Sequence, residues 1–289
     1  MNQIDEIKKC CTSIEDNIEH FENTLKKIVN KDKNFLTPDL NKFLFTNPKR
    51  LRPRFVFLFA RVLNCNSSLV YNIAIALELI HSASLIHDDI LDFEDTRRNN
   101  LTFYKKYGSR LAVLEGDYLL SLANVELAKT NNKILNIFSL RIKKTILGEI
   151  LQNENLNKIL DYDNYIKKTF NKTGNLFMAG LEALFEVCDI DFEIKNNLFE
   201  FLKNYSIAFQ IKNDIDNYKK NKSDFKNGNY TLPMIYFEKD KKKTDFDECL
   251  KKAQNEVLKY KNTALDYLSK IQNQNINPVI NLSEITLRS

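Results

Sequence analysis

The stretch Leu85 to Asn100 reads LIHDDILDFEDTRRNN and sets five acidic side chains beside two adjacent arginines. On a helix, Asp88 and Asp92 are four apart and share a face, and Asp89 and Asp92, three apart, are also neighbours. Such a triplet packs poorly in a core and holds hard cations well. Mg²⁺ takes oxygen ligands, keeps several waters, and commonly combines one or two carboxylates with substrate phosphates. Arg97 and Arg98 follow at once, and guanidinium groups match phosphate oxygens with paired hydrogen bonds. Carboxylates for a metal next to arginines point to a diphosphate site. The plain alternative is a solvated, charged helix end.

The element that delivers these aspartates spans residues 68 to 92. Val70, Ile73, Ala74, Ala76, Leu77, Leu79, Ile80, Ala83, Leu85 and Ile86 leave it little polar surface. A helix that is apolar nearly all round is buried. Aspartates at its C-terminal end oppose the helix dipole, and bound cations would compensate. His81 and His87 lie on the same helix, where a histidine is more often a hydrogen-bonded core residue than a ligand. A second basic group, Lys49, Arg50, Arg52 and Arg54, surrounds Pro53 at the start of an apolar run. Proline suits a first helical turn, and a helix N-terminus with basic side chains attracts anions. A solvated loop is the alternative there.

Composition sets the fold class. The chain has 289 residues but only 6 Gly and 5 Pro, with none between Pro53 and Gly108 or between Gly180 and Gly228. Sheets need frequent turn residues, so this scarcity predicts long helices and an all-α fold. Helices are predicted over 3–29, 110–130, 134–160, 162–185, 192–220 and 245–271, and the tail after Pro278 has no clear packing pattern. No linker or repeat interrupts the chain, so 1–289 reads as a single helical domain. The five cysteines are scattered, odd in number and without metal-ligand spacing, which suggests free thiols in a reducing cytoplasm. The N-terminus has no signal-peptide pattern, and no long uncharged apolar run predicts a membrane span. The net charge of +5 comes from interleaved signs, 43 basic against 38 acidic, which argues against a nucleic-acid partner.

At this point the residues coincide with a family. The chain resembles the trans-isoprenyl diphosphate synthases of the medium- and long-chain polyprenyl type, from about Lys49 to Pro233. Lys49 with Arg52 resembles its GGKRxRP motif. DDILD with Arg97 and Arg98 resembles its first aspartate-rich motif, DDxxD followed by an arginine pair. FYKKYG at 103–108, EGDYLL at 115–120, GEILQ at 148–152, Lys172–Thr173, Phe209–Gln210 and the loop FKNGNYTLP follow in order. The resemblance implies an isoprenoid-synthase-type helical bundle around a central cavity, and a homodimer, with a heteromer as the variant. It implies that Mg²⁺ and an allylic diphosphate meet at Asp88, Asp89 and Asp92, that ionisation gives an allylic cation, and that isopentenyl diphosphate attacks it. Carried over by position, Arg97 and Lys172 contact the allylic diphosphate. Lys49, Arg52, His81 and Arg98 hold the isopentenyl diphosphate. Thr173 and Gln210 lie near the reacting carbons.

The second aspartate-rich motif departs from the pattern. The family's FQxxDDxxD reads FQIKNDIDN here. Gln210, Asn213, Asp214 and Asn217 share one helix face, so one facing carboxylate, Asp214, is left as the fourth metal candidate. Asp216 lies about 200° round the helix from Asp214. Asn229 stands where the family's loop has lysine, with Lys219, Lys220 or Lys222 as substitutes. Asn99 replaces the glycine after the arginine pair, and Asn47–Pro48 the double glycine before Lys49. These changes keep two other readings open: a weakly active or non-catalytic subunit of a heteromeric synthase, and a terpene cyclase. The cyclase reading is opposed by the Lys49–Arg54 cluster and His81. Ala83 and Ser84, one turn behind the aspartates, are too small to floor a product channel, which predicts products longer than fifteen carbons.

Overall fold

The computed structural model describes residues 2–97, 100–220, 227–240 and 245–288, the side chain of Gln274 apart. Arg98, Asn99, Lys222 and the first two residues of the FKNGNYTLP loop, Phe225 and Lys226, lie outside the described residues. Contacts divide the chain into two compact units, Met1–Asn136 with Glu186–Cys188, and Ile137–Phe185 with Asp189–Ser289. The described residues are overwhelmingly helical, as the scarcity of Gly and Pro predicts.

The first unit opens with α1 (Gln3–Cys10) and α2 (Glu15–Val29). The single helix expected over 3–29 is therefore broken, by a 3₁₀ turn at Thr12–Ile14. Helix α2 buries Ile18, Phe21, Leu25 and Val29, a three-and-four spacing that makes one apolar stripe. After α3 (Pro38–Phe45) come α4 (Leu51–Val62), α5 (Leu69–Leu91) and α6 (Phe103–Ala128), the last with a break at Gly108. Helix α5 is the core of this unit and packs against α2, α4 and α6. Its buried side chains run from Val70 to Asp89, and each fully buried Leu or Ile contributes about 1.5–3 kcal/mol. Helix α5 is long and apolar enough to cross a bilayer, but 67% of its most apolar window is buried against protein. It has the character of a core helix. The close approach of α6 depends on Gly116, where an added Cβ would fall 2.2 Å from Nε2 of His87.

A disulfide joins Cys65 to Cys188 within this unit. This corrects the expectation of free thiols throughout. The pair is 123 residues apart in sequence, and spacing alone carries no sign of it. Cys10, Cys11 and Cys249 are free.

Helix α7 (Asn132–Glu154) leads into the second unit, which continues with α8 (Tyr162–Thr169), α9 (Asn175–Phe185) and α10 (Phe192–Lys220). Between α8 and α9 the backbone widens into one π-helical turn, Phe170–Gly174. Such turns are rare and recur at functional sites. Helix α11 (Leu232–Lys239), α12 (Phe246–Ser269) and α13 (Asn277–Leu287) complete the unit, with α10 packed on α12, α9, α13 and the π-turn. The tail is thus structured, contrary to the sequence reading. Pro278 sits in the first turn of α13, which buries Val279, Leu282, Thr286 and Leu287. Thr286 shares a 2.9 Å hydrogen bond with the buried Tyr205 hydroxyl. Tyr205 in turn contacts the rings of Phe177, Phe201 and Phe209.

Candidate active site

In the first unit, α5 carries Asp88 and Asp89 in its last turn and ends on Asp92, whose backbone N–H donates to the Asp88 carbonyl at 2.8 Å. The three aspartates have different surroundings. Asp88 and Asp92 are half-buried, whereas Asp89 is 2% exposed. Arg97 donates from both Nε and Nη2 to Oδ1 of Asp89, each at 2.7 Å. Burial pushes the Asp89 carboxyl above the usual range, and the Arg97 guanidinium opposes that rise. Arg97 is held by a two-residue hairpin in which Thr96 pairs with Leu101 and Arg97 with Asn100. Thr102 caps α6 and its hydroxyl donates to the Glu94 carbonyl at 2.7 Å, closing the loop.

The basic cluster at the start of α4 divides. Arg50, in the left-handed backbone region at φ 50°, is buried and pairs with Glu22 and Glu78, each at 2.7 Å, while also donating to the Leu44 carbonyl. Arg54 is buried and pairs with Glu15 at 2.6 Å. These two arginines stabilise the fold and are not an anion site, which corrects the reading of all four as one cluster. Lys49 is exposed and donates to Gln3, and Arg52 is half-buried. The division keeps the two residues that the family resemblance selects. His81, half-buried on α5, accepts the Ser84 hydroxyl at its backbone carbonyl.

In the second unit, Lys172 and Thr173 sit on the π-turn. Lys172 pairs with Glu149 of α7 at 3.3 Å. The Thr173 hydroxyl donates to Oε1 of Gln210 at 2.5 Å, and Nε2 of Gln210 donates to Oδ1 of Asp214 at 2.7 Å. Tyr165 of α8 donates its hydroxyl to Oδ2 of the same carboxylate at 2.7 Å. Asp214 is 7% exposed; burial pushes its carboxyl up and the nearby Lys168 opposes this. Lys168 donates to Oδ1 of Asn229 at 2.8 Å. Asn229 follows Gly228, whose φ of +75° suits glycine and whose carbonyl accepts the Asn157 N–H at 2.8 Å. Lys212 pairs with Asp216, so Asp216 belongs to a surface ion pair and does not join the Asp214 cluster. Tyr165 and Lys168 were missed by sequence reasoning.

The two sets of residues answer differently to a divalent cation. No three His, Cys, Asp or Glu side chains converge as a ready cage among the described residues. Mg²⁺ takes one or two carboxylates and completes its shell with water and phosphate. Asp88 and Asp92, stacked at the end of α5, fit that demand. The face of α10 fits it poorly, because Asn213 and Asn217 bring no charge and both oxygens of Asp214 already accept hydrogen bonds.

Comparison with known proteins completes the assignment. The polyprenyl synthetase family matches residues 35–268. A decaprenyl-diphosphate synthase of Dictyostelium discoideum is 31% identical over 274 residues, covering 83% of this chain and 59% of that protein. A prenyl transferase of Cyanidium caldarium is 30% identical over 241 residues, covering 79% of this chain and 75% of its own length. The crystal structure of heptaprenyl diphosphate synthase from Staphylococcus aureus superposes with a TM-score of 0.84 at 26% identity, covering 100% of this chain and 99% of that one. With its ordered motifs and its helical fold, the chain belongs to the polyprenyl synthetase family and is a prenyltransferase.

Proposed function

We propose that this prenyltransferase condenses isopentenyl diphosphate with an allylic diphosphate to give a trans-polyprenyl diphosphate longer than fifteen carbons. The observation that carries the reading is the aspartate end of α5, with Asp88 and Asp92 half-buried and Asp89 locked to Arg97. Asp88 and Asp92 are the proposed Mg²⁺ ligands, with Asp89 holding the pair and Arg97 in register. Magnesium, when bound there, supplies positive charge that stabilises the departing diphosphate. Arg97 and Lys172 neutralise the allylic diphosphate, and Lys49, Arg52, His81 and Arg98 bind isopentenyl diphosphate. Thr173 and Gln210, joined by a hydrogen bond, orient groups near the reacting carbons. The allylic carbon–oxygen bond breaks with its electron pair on the diphosphate. The isopentenyl double bond then attacks the allylic cation, and loss of one proton from the new cation re-forms a double bond, giving the lengthened allylic diphosphate and free pyrophosphate. Preorganised positive charge is the chain's main contribution to that ionisation.

The chain is proposed to work as one polyprenyl-synthase domain over 1–289, a reading supported by a family match that runs through both units. A homodimer is supported by exposed apolar side chains: Val113, Leu114 and Val125 on α6, and Leu140, Ile146, Leu147, Ile150 and Leu151 on α7. Single exposed leucines are ordinary, but a row of them on one helix marks a contact surface. A cytoplasmic location remains a proposal, and the Cys65–Cys188 bond removes the support that free thiols gave it. The non-catalytic-subunit and terpene-cyclase readings have no such support among the relatives. The test is to supply purified protein with Mg²⁺, labelled isopentenyl diphosphate and allylic primers of several lengths, and to size the products. Absence of elongation from every primer would refute the proposal.

A further inference from the structure

The α10 wall of this chain differs in kind from the aspartate end of α5. Its one facing carboxylate is engaged on both oxygens, Oδ2 by the Tyr165 hydroxyl and Oδ1 by the Gln210 amide, both at 2.7 Å. The flanking positions that would complete a cation shell are amides, Asn213 and Asn217. A hard dication selects charged oxygen ligands, and here a single carboxylate, with one hydrogen bond already on each oxygen, would have to hold it between two uncharged amides. The positive charge of this cluster is instead supplied by the chain. The Lys168 ammonium rests on Oδ1 of Asn229 at 2.8 Å and lies 5.6 Å from the centre of the Tyr165 ring. Tyr165 is the same residue that binds Asp214, so ammonium, ring, carboxylate and amide form one connected group. Lys172, on the π-turn, adds a second positive charge near the same carboxylate.

We infer that the α10 wall binds no divalent cation of its own, that the Lys168 ammonium supplies the positive charge there, and that Asp214 is a positioning residue that holds Gln210 against Thr173. The inference rests on the proposed prenyl-transfer reading only in taking Asp88 and Asp92 as the metal site. It differs from the sequence reading, which placed Asp214 among the metal ligands. The connection it relies on is continuous: Tyr165 and Gln210 converge on Asp214, and Gln210 passes the constraint to the Thr173 hydroxyl on the π-turn.

The experiment counts Mn²⁺ bound per full-length chain, by electron paramagnetic resonance with inorganic pyrophosphate as the anion. Asp92→Asn is the control for the underlying reading. It loses bound Mn²⁺ if the end of α5 is the metal site, and an unchanged count would refute that reading independently of the present inference. Asp214→Asn is expected to keep the parent count while kcat falls about tenfold with little change in the KM of the allylic primer, the pattern of a group that orients others. A folded Asp214→Asn variant that loses one Mn²⁺ would overturn the inference. If that variant does not fold, Asn213→Asp with Asn217→Asp decides the matter. These positions are exposed and half-buried, and the added carboxylates are expected to gain one Mn²⁺. An unchanged count in this double variant would overturn the inference too. Lys168→Met is expected to weaken metal-free pyrophosphate binding several-fold, and unchanged affinity would remove the role given to its ammonium.

Discussion

Two nitrogens of Arg97 converge on a single oxygen of Asp89, each at 2.7 Å. The middle aspartate of the triplet therefore serves the arginine, and its two neighbours are the proposed ligands of the cation. Asp89→Ala leaves a partly buried guanidinium without its carboxylate. The expected loss of stability is about 1–3 kcal/mol, the usual result of orphaning one partner of a buried polar pair. Turnover is expected to vanish while the helical circular-dichroism spectrum is retained. Denaturant titration and a turnover assay check the two parts separately, and near-normal turnover would contradict the role assigned here.

The amides of α10 set a metal requirement. Asn213→Asp combined with Asn217→Asp adds charged oxygen ligands on the face that carries Asp214, and hard cations favour such ligands. The Mg²⁺ concentration for half-maximal turnover is expected to fall several-fold. A titration of rate against Mg²⁺ measures it, and a curve that overlays the parent's would show that the amides are not limiting.

How much of this was visible in the sequence depended on the range of the interactions involved. The aspartate triplet was legible because helix periodicity alone places Asp88 under Asp92, and the apolar run before them names the helix that carries them. The division of the basic cluster was not legible. Arg50 and Arg54 are claimed by Glu22, Glu78 and Glu15, glutamates from elsewhere in the chain, and no local pattern distinguishes them from Lys49 and Arg52. The same holds for Tyr165 with Asp214 and for Lys168 with Asn229, which are 49 and 61 residues apart. The final helix escaped notice because two of the five buried positions of its short span, Ser283 and Thr286, are polar and interrupt the apolar stripe of Val279, Leu282 and Leu287.

Product length provides a test of α5. Ala83 is 0% exposed, so a phenylalanine there overpacks the helix and is expected to cost about 1–3 kcal/mol. Ser84 is half-buried, with its hydroxyl turned back to the His81 carbonyl, and is the better position for a bulky side chain. Ser84→Phe is expected to shorten the product while sparing the first condensation. Chromatography of the products decides it, and either a parent that stops at fifteen carbons or a variant with unchanged product contradicts the expectation.

Glu115 makes stability depend on pH. Its Oε1 accepts the Thr37 N–H at 2.8 Å, its Oε2 is buried without a hydrogen-bond partner, and burial pushes its carboxyl above the ordinary value of 4.5. A raised folded value means that the protonated form is favoured in the native state. The stability it contributes is full below 4.5 and declines as pH rises through the folded value. Glu115→Gln is expected to flatten that decline. Melting temperatures of parent and variant, measured from pH 4 to pH 7, should diverge least at the acid end; a constant offset across the range would contradict the assignment.

The central claim is that Asp88 and Asp92 at the end of α5 hold the metal for prenyl transfer. The measurement closest to it is incorporation of labelled isopentenyl diphosphate into extractable product, with Mg²⁺ and an allylic diphosphate primer, for the parent and for Asp92→Asn. The account predicts elongated product from the parent and a loss of at least about a hundredfold, roughly 2.7 kcal/mol of transition-state stabilisation, in the variant with its fold intact. Parent-like incorporation by Asp92→Asn would contradict it.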